Sequence, residues 1–259
     1  MEVIEPTRGQ VLDFCAESPI ERVFLEDVAR AGLGRFTGLE DAAGRLVGLC
    51  HVGANLVPSG EGCGAFAPAA AAGRARMIIG EEGAVGDLWE AARPSLPEPR
   101  EDRPHQPVFV IREPPEPGGS GLRPATPADV ERLLPACAAA HRLELGIDPL
   151  ARDAEGFRWR TRAQVDEGRS WVWLEDDIVL FKAEASAWTG EAVQVAQVWV
   201  DPVARRHGNA ARGLRDLCRL LLVTTPAVTL FVRTDNPAAI ALYESIGMRQ
   251  ELSYRSVLF

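Results

Sequence analysis

The stretch VWVDPVARRHGNAARGLRDLCRLLL, Val198 to Leu222, constrains the fold most. Its first residues are β-branched and aromatic and read as a strand that ends at Asp201-Pro202. An Arg- and Gly-bearing loop follows. Leu214, Leu217, Cys218, Leu221 and Leu222 then recur at helical spacing and predict an amphipathic helix from Gly208 to about Val223. A strand that turns tightly into a helix leaves the first helical amides unpaired, at the positive end of the helix dipole, so the turn can hold a phosphate. Gly208 permits close backbone approach and Ala210 keeps the next position small. Arg205 and Arg206 add charge, and Arg212, Arg215 and Arg219 share another face of the helix.

The flanking sequence supplies the rest of the unit. GLRPAT (121–126) is short and extended. Thr126 is placed as an N-cap, with Pro127 at the first helical position and Asp129 in the first turn. A second helix is predicted over about 154–167. SWVWLED, DIVLFKAEASA and VQVAQVWVDP read as consecutive antiparallel strands. AVTLFV reads as a buried strand, Asn236 to Ile246 as a helix ended by Gly247, and LSYRSVLF as a last strand. The predicted order is β-α-α-β-β-β-α-β-α-β.

REPPEPGGSG (112–121), with three prolines and three glycines, reads as a linker and sets the expected domains at 1–117 and 118–259. The first part reads as a smaller α/β domain. Helices are expected in PTRGQVLDFCAE, PIERVFLEDVARA and GDLWEAARP, and strands in RFTGLED, RLVGLCHVG and PVFVIRE. No nucleophile–base pair, phosphate loop or metal spacing appears in it, and Glu81-Glu82 reads as a turn before a helix.

The net charge of −9 argues against nucleic acid or an anionic membrane surface as a partner. It is unevenly shared. Residues 1–117 hold 19 acidic and 11 basic side chains (−8), and residues 118–259 hold 18 and 17 (−1). Of 28 basic residues only Lys182 is a lysine, which reads as codon bias of a GC-rich genome. Five widely spaced cysteines and four scattered histidines fit neither a disulfide framework nor a metal site. The N-terminus lacks the pattern of a signal peptide and no apolar run is long enough to span a membrane. A cytoplasmic protein with free thiols is expected.

Arg205-Arg206-His207-Gly208-Asn209-Ala210 resembles the Q/R-x-x-G-x-G/A loop of the GNAT superfamily of acyl-CoA-dependent N-acyltransferases. TDNPAAIALYESIGM resembles that family's second region through Asn236, Ala239, Leu242, Tyr243 and Gly247, with Met248 where Phe is usual. The resemblance covers about 121–259. It implies an α/β (α+β) fold with a mixed, mostly antiparallel sheet flanked by helices. The first half is similar to a segment of unknown function found ahead of such domains in high-GC bacteria, and is read as a degenerate GNAT-like half.

The resemblance further implies acetyl-CoA as cofactor. Backbone amides of Arg206, His207, Gly208, Asn209, Ala210 and Ala211 would cradle its pyrophosphate beside the Arg205 side chain. Val198 and Val200 would pair with its pantetheine arm, Asn236 and Ala239 would touch it, and Tyr243 would be the general acid. Many relatives carry a Glu near position 194, where this chain has Gln194. Glu184 and Glu191 are the remaining candidates for the base. The expected activity is direct N-acetyl transfer to an amine on a small molecule, peptide or protein. The alternative is a non-catalytic acyl-CoA-binding or regulatory module. A homodimer is left open.

Overall fold

The computed structural model describes residues 1–259. The apolar runs form strands, several of them buried on both faces, and all join one mixed sheet of 12 strands. The first half runs β1 (Glu2–Ile4), α1 (Arg8–Ala16), α2 (Val23–Arg30), β2 (Arg35–Glu40), β3 (Leu46–Val52), β4 (Leu56–Gly60), α3 (Ala67–Ala72), β5 (Met77–Glu81), α4 (Glu82–Ala92) and β6 (Glu101–Ile111). The second half repeats the order: β7 (Arg123–Pro124), α5 (Val130–Leu145), α6 (Pro149–Asp166), β8 (Ser170–Glu175), β9 (Ile178–Trp188), β10 (Val193–Trp199), α7 (Asn209–Leu221), β11 (Val228–Phe231), α8 (Pro237–Ser245) and β12 (Arg249–Leu258). The first half is therefore GNAT-like in topology as well as order. Sequence periodicity had missed β4 and β5, where Pro58, Gly60 and Gly80 interrupt the pattern.

Two features of the sheet create the site. The first is an exchange of last strands. The sheet order is β1-β2-β3-β4-β5-β12-β6-β11-β10-β9-β8-β7. Strand β6, from the first half, pairs antiparallel with β11 and β12, while β12 pairs antiparallel with β5. Each half therefore completes the other's sheet. The second is the pair of parallel contacts, β4 with β5 and β10 with β11. β10 meets β11 only at Val193–Val228 and Gln194–Thr229 and then diverges from it.

The largest apolar cluster packs α7 and α8 against the second half's strands, with Phe181, Leu214 and Leu217 fully buried. The linker is not loose. Asp216 accepts from the amides of Gly118 (2.7 Å) and Ser120 (2.7 Å) and from Ser120 Oγ (2.6 Å). Arg212 donates to the carbonyls of Gly118 (3.1 Å) and Gly119, and Arg219 to that of Pro115 (2.8 Å). Glu81 is the N-cap of α4, accepting from Gly83 and Ala84 amides, as its place before a helix suggested.

Candidate functional site

Where β10 leaves β11, backbone and side chains line two adjoining cavities of about 240 and 560 Å³. Both are bounded by Leu143, Val198, Trp199, Asn236 and Tyr243. A bulge in β10 shapes their boundary. Ala196 pairs with Glu184 and Trp199 with Lys182, so three residues of β10 advance against two of β9. Gln197, inside the bulge, has φ 54°, which a non-glycine residue rarely adopts.

The larger cavity gathers the residues expected to hold a nucleotide cofactor. Val198, Val200, Arg205, Arg206, Gly208, Asn209, Ala210, Ala211, Asn236, Ala239 and Tyr243 all line it; His207 does not and points to solvent. Gly208, at φ 76°, starts α7 without any side-chain cap. By contrast Thr7, Glu81, Asp148 and Asn236 cap their helices. The amides at the start of α7 are thus left free for an acceptor-rich ligand. Arg205 Nε donates to the carbonyl of Val200 (3.0 Å), which keeps its guanidinium at the cavity wall. The corresponding loop of the first half carries no arginine, and Asp87 takes its Gly64 amide (2.9 Å). Arg212 and Arg219, read in the sequence as part of the same basic cluster, instead hold the linker, with Arg212 stacked 4.7 Å over Trp173.

Asn236 both caps α8, accepting from Ala239 (3.2 Å), and lines both cavities. Tyr243 stands where the cavities join. Burial, with the nearby Glu144 charge adding to it, pushes its hydroxyl up to about 12, so it keeps its proton at neutral pH.

Neither expected base reaches the cavities. Glu184 is buried on the face of β9 that packs against α5 and α6, with Oε1 2.6 Å from Lys182 Nζ and 3.5 Å from Cys137 Sγ. Burial alone would raise its carboxyl. The charges of Lys182 and Arg160, with the bonds from Lys182 and Cys137, outweigh that and hold it below its ordinary value. Glu191 sits in the turn before β10, among residues that line neither cavity. Gln194 bonds Ser186 Oγ (3.1 Å) and is also outside.

The one carboxylate lining the smaller cavity is Glu144, at the C-terminal end of α5, which sequence reasoning missed. Its carboxylate accepts from Gln197 of the bulge. Burial raises its carboxyl, and the charge of Glu184 adds to this against the opposing charges of Arg103 and Lys182. No motif marks it, since LELGID is an ordinary helix end. The same cavity is walled by Met77, Ile79, Arg103 and Gln106 from the first half. Arg103 Nη2 donates to Glu101 (2.5 Å) and to the Glu144 carbonyl (2.9 Å), while its Nε is buried without a partner. An unmet buried donor costs about 1–3 kcal/mol.

The chain matches two family models. Residues 136–248 match the acetyltransferase (GNAT) family, and residues 34–133 match a domain of unknown function (DUF4081). No curated protein matches it. Among solved structures it is similar to a Drosophila protein at 14% identity, TM-score 0.66, covering 99% of this chain and 98% of that one. A GNAT-family acetyltransferase from Colwellia psychrerythraea is similar at 11% identity, TM-score 0.59, with both chains fully covered. A tandem GNAT protein from the clavulanic acid biosynthesis pathway is similar at 15% identity, TM-score 0.56, covering 99% and 98%. These likenesses are of fold, and they span both halves. Residues 136–248 are thus a GNAT-family domain, preceded by a DUF4081 domain.

Proposed function

We propose that the chain is an acetyl-CoA-dependent N-acetyltransferase that passes an acetyl group directly to an amine. One observation carries this: the divergence of β10 from β11 gathers an uncapped helix start, a protonated Tyr243 and the carboxylate of Glu144 around two joined cavities. The larger cavity fits the cofactor because its free amides and Arg205 match a pyrophosphate. Acetyl-CoA bound there would supply an activated thioester acyl group.

The chain's own residues divide the remaining work. The backbone from Val198 to Val200, at and just past the end of β10, orients the ligand, with no strand partner on that side to compete for its groups. Gln197 fixes the Glu144 carboxylate, whose proton affinity burial raises, in place to take a proton from an ammonium group. Tyr243 Oη keeps its proton until a leaving group requires it. Gln194 in place of an acid is then no obstacle.

Five buried, unpaired cysteines fit a reducing cytoplasmic setting, and no helix is long and apolar enough to cross a membrane. The test is thiol release from acetyl-CoA by the purified chain across a panel of amines. Turnover that falls about 100-fold in Tyr243→Phe is the expected result. Tight CoA binding by calorimetry with no turnover on any amine would instead favour a non-catalytic acyl-CoA-binding module.

A further inference from the structure

We infer that the acceptor is a small α-amino acid with an apolar side chain, its carboxylate held by Arg103 and its amine presented to Glu144. This rests on the acetyltransferase reading above and names the substrate class of the same site.

Two observations point to an anionic group on the ligand. Six buried side-chain polar atoms in the protein have no hydrogen-bond partner. Two of these, Arg103 Nε and Trp199 Nε1, belong to residues lining the smaller cavity, and both are donors. The cavity's other polar residues have partners within the protein. Gln106 donates to Ser256 Oγ (2.8 Å), Asn236 caps α8, Gln197 is engaged by Glu144, and Arg233 is bidentate on Asp235. The Arg103 side chain is nine-tenths buried, and Glu101 is its single carboxylate partner, shared with Arg233 at 3.5 Å. A guanidinium that served only to clamp β6 to α5 would leave this buried Nε an unmet donor. A ligand carboxylate would satisfy it.

The opposite requirement lies alongside. Arg103 is bonded to the main-chain carbonyl of Glu144, whose side chain reaches Gln197 and bears on Tyr243. The cation and the carboxylate are therefore close neighbours. An α-amino acid carries its own carboxylate and amine on one carbon, a neighbouring pair of charges in the reverse order. The volume of about 240 Å³ is below the roughly 300–1,000 Å³ of pockets for drug-sized ligands, which favours a small molecule over a protein segment. Met77, Ile79 and Phe231 leave the remaining wall apolar.

Although the first half is acidic overall, the strand exchange brings one of its eleven arginines into the cavity on β6.

The experiment compares L-leucine and L-phenylalanine with their amides and with the amines left after removal of the carboxylate. Thiol release is read with acetyl-CoA, and equilibrium binding is read by calorimetry on the chain loaded with CoA. The expected result is a kcat/KM, and an affinity, at least about tenfold higher for the free acids. The amide's amine is less basic, so its larger neutral fraction biases the comparison against this outcome. Arg103→Met should bring the acid-to-amide ratio close to one. Arg103→Lys, which keeps charge but loses the planar fork, should fall between. Amides or decarboxylated amines that bind and react as well as the acids would overturn the assignment, as would absence of binding by any acid. Selective binding of acids with no turnover would leave this site standing and remove the transfer reaction.

Discussion

Replacing Glu144 with Gln removes a proton acceptor and little else. The Gln side chain has nearly the same shape, and its carbonyl oxygen can still accept from Gln197. The bond from Arg103 goes to the main-chain carbonyl of residue 144 and is untouched. General-base catalysis typically contributes about 10²–10⁴-fold. The variant should therefore lose that factor in kcat/KM, or about 2.7–5.4 kcal/mol at 1.36 kcal/mol per decade. No other carboxylate lines the cavity to take over. The pH profile is the more specific readout. Burial raises the Glu144 carboxyl, so the acidic limb of kcat/KM should lie above the ordinary Glu value of about 4.3 and should vanish in the variant. The stability control has a definite sign. A carboxylate whose folded pKa is raised makes the folded state bind more protons, so its contribution to stability falls as pH rises from the unfolded to the folded pKa. At pH 7 Glu144→Gln should be as stable as the parent or more so by thermal melting. Activity within threefold of the parent, or an unchanged acidic limb in a folded variant, would refute Glu144 as the base.

Tyr243→Phe should lower kcat about 100-fold with the KM for acetyl-CoA changed little, and the parent should show no alkaline limb from this group below about pH 11, since its hydroxyl is pushed up to about 12; a large rise in KM alone would make Tyr243 a binding residue. Lys182→Met leaves the buried Glu184 carboxylate with only the half-exposed Arg160 (3.4 Å) as a cationic partner and should cost about 3–5 kcal/mol in urea unfolding, whereas adding Glu184→Leu should recover most of it. The pair gives a signed pH dependence: stability from Glu184 is lost as pH falls below the ordinary Glu value toward its lowered folded pKa, and that from Lys182 is lost as pH rises above the ordinary Lys value of about 10.4. Residues 118–259 expressed alone should fail to give a cooperative melt, because β11 and β12 both lose β6, and co-expression with residues 1–117 should restore it as a stable complex; a folded, acetyl-CoA-binding fragment would contradict the strand exchange.

The larger cavity, proposed to hold the cofactor, was legible because its lining is local. Gly208, Asn236 and Tyr243 owe their places to a helix start, a helix cap and one helical face, all of which short-range spacing encodes. The acceptor side was not legible, because long-range pairing assembles it. PVFVIRE read correctly as strand, yet nothing near it in sequence says that Val108 to Ile111 will lie against Val228 to Phe231, over a hundred residues on. Arg103, Gln106, Met77 and Ile79 reach the cavity only through that pairing and the matching one of β12 with β5. The basic cluster misled for a related reason: Arg212 and Arg219 have the right charge at the right helix, but their partners are carbonyls of a linker about a hundred residues earlier. Glu144 fails every local test, since only the bulge at Gln197 makes it more than a helix end. The first half therefore contributes β6 to the second half's sheet and Met77, Ile79, Arg103 and Gln106 to the cavity wall. The Arg205–Ala210 loop and the Asn236–Tyr243 helix line the cavity proposed for the cofactor, and the exchanged strand supplies the wall against which the proposed acceptor would be chosen.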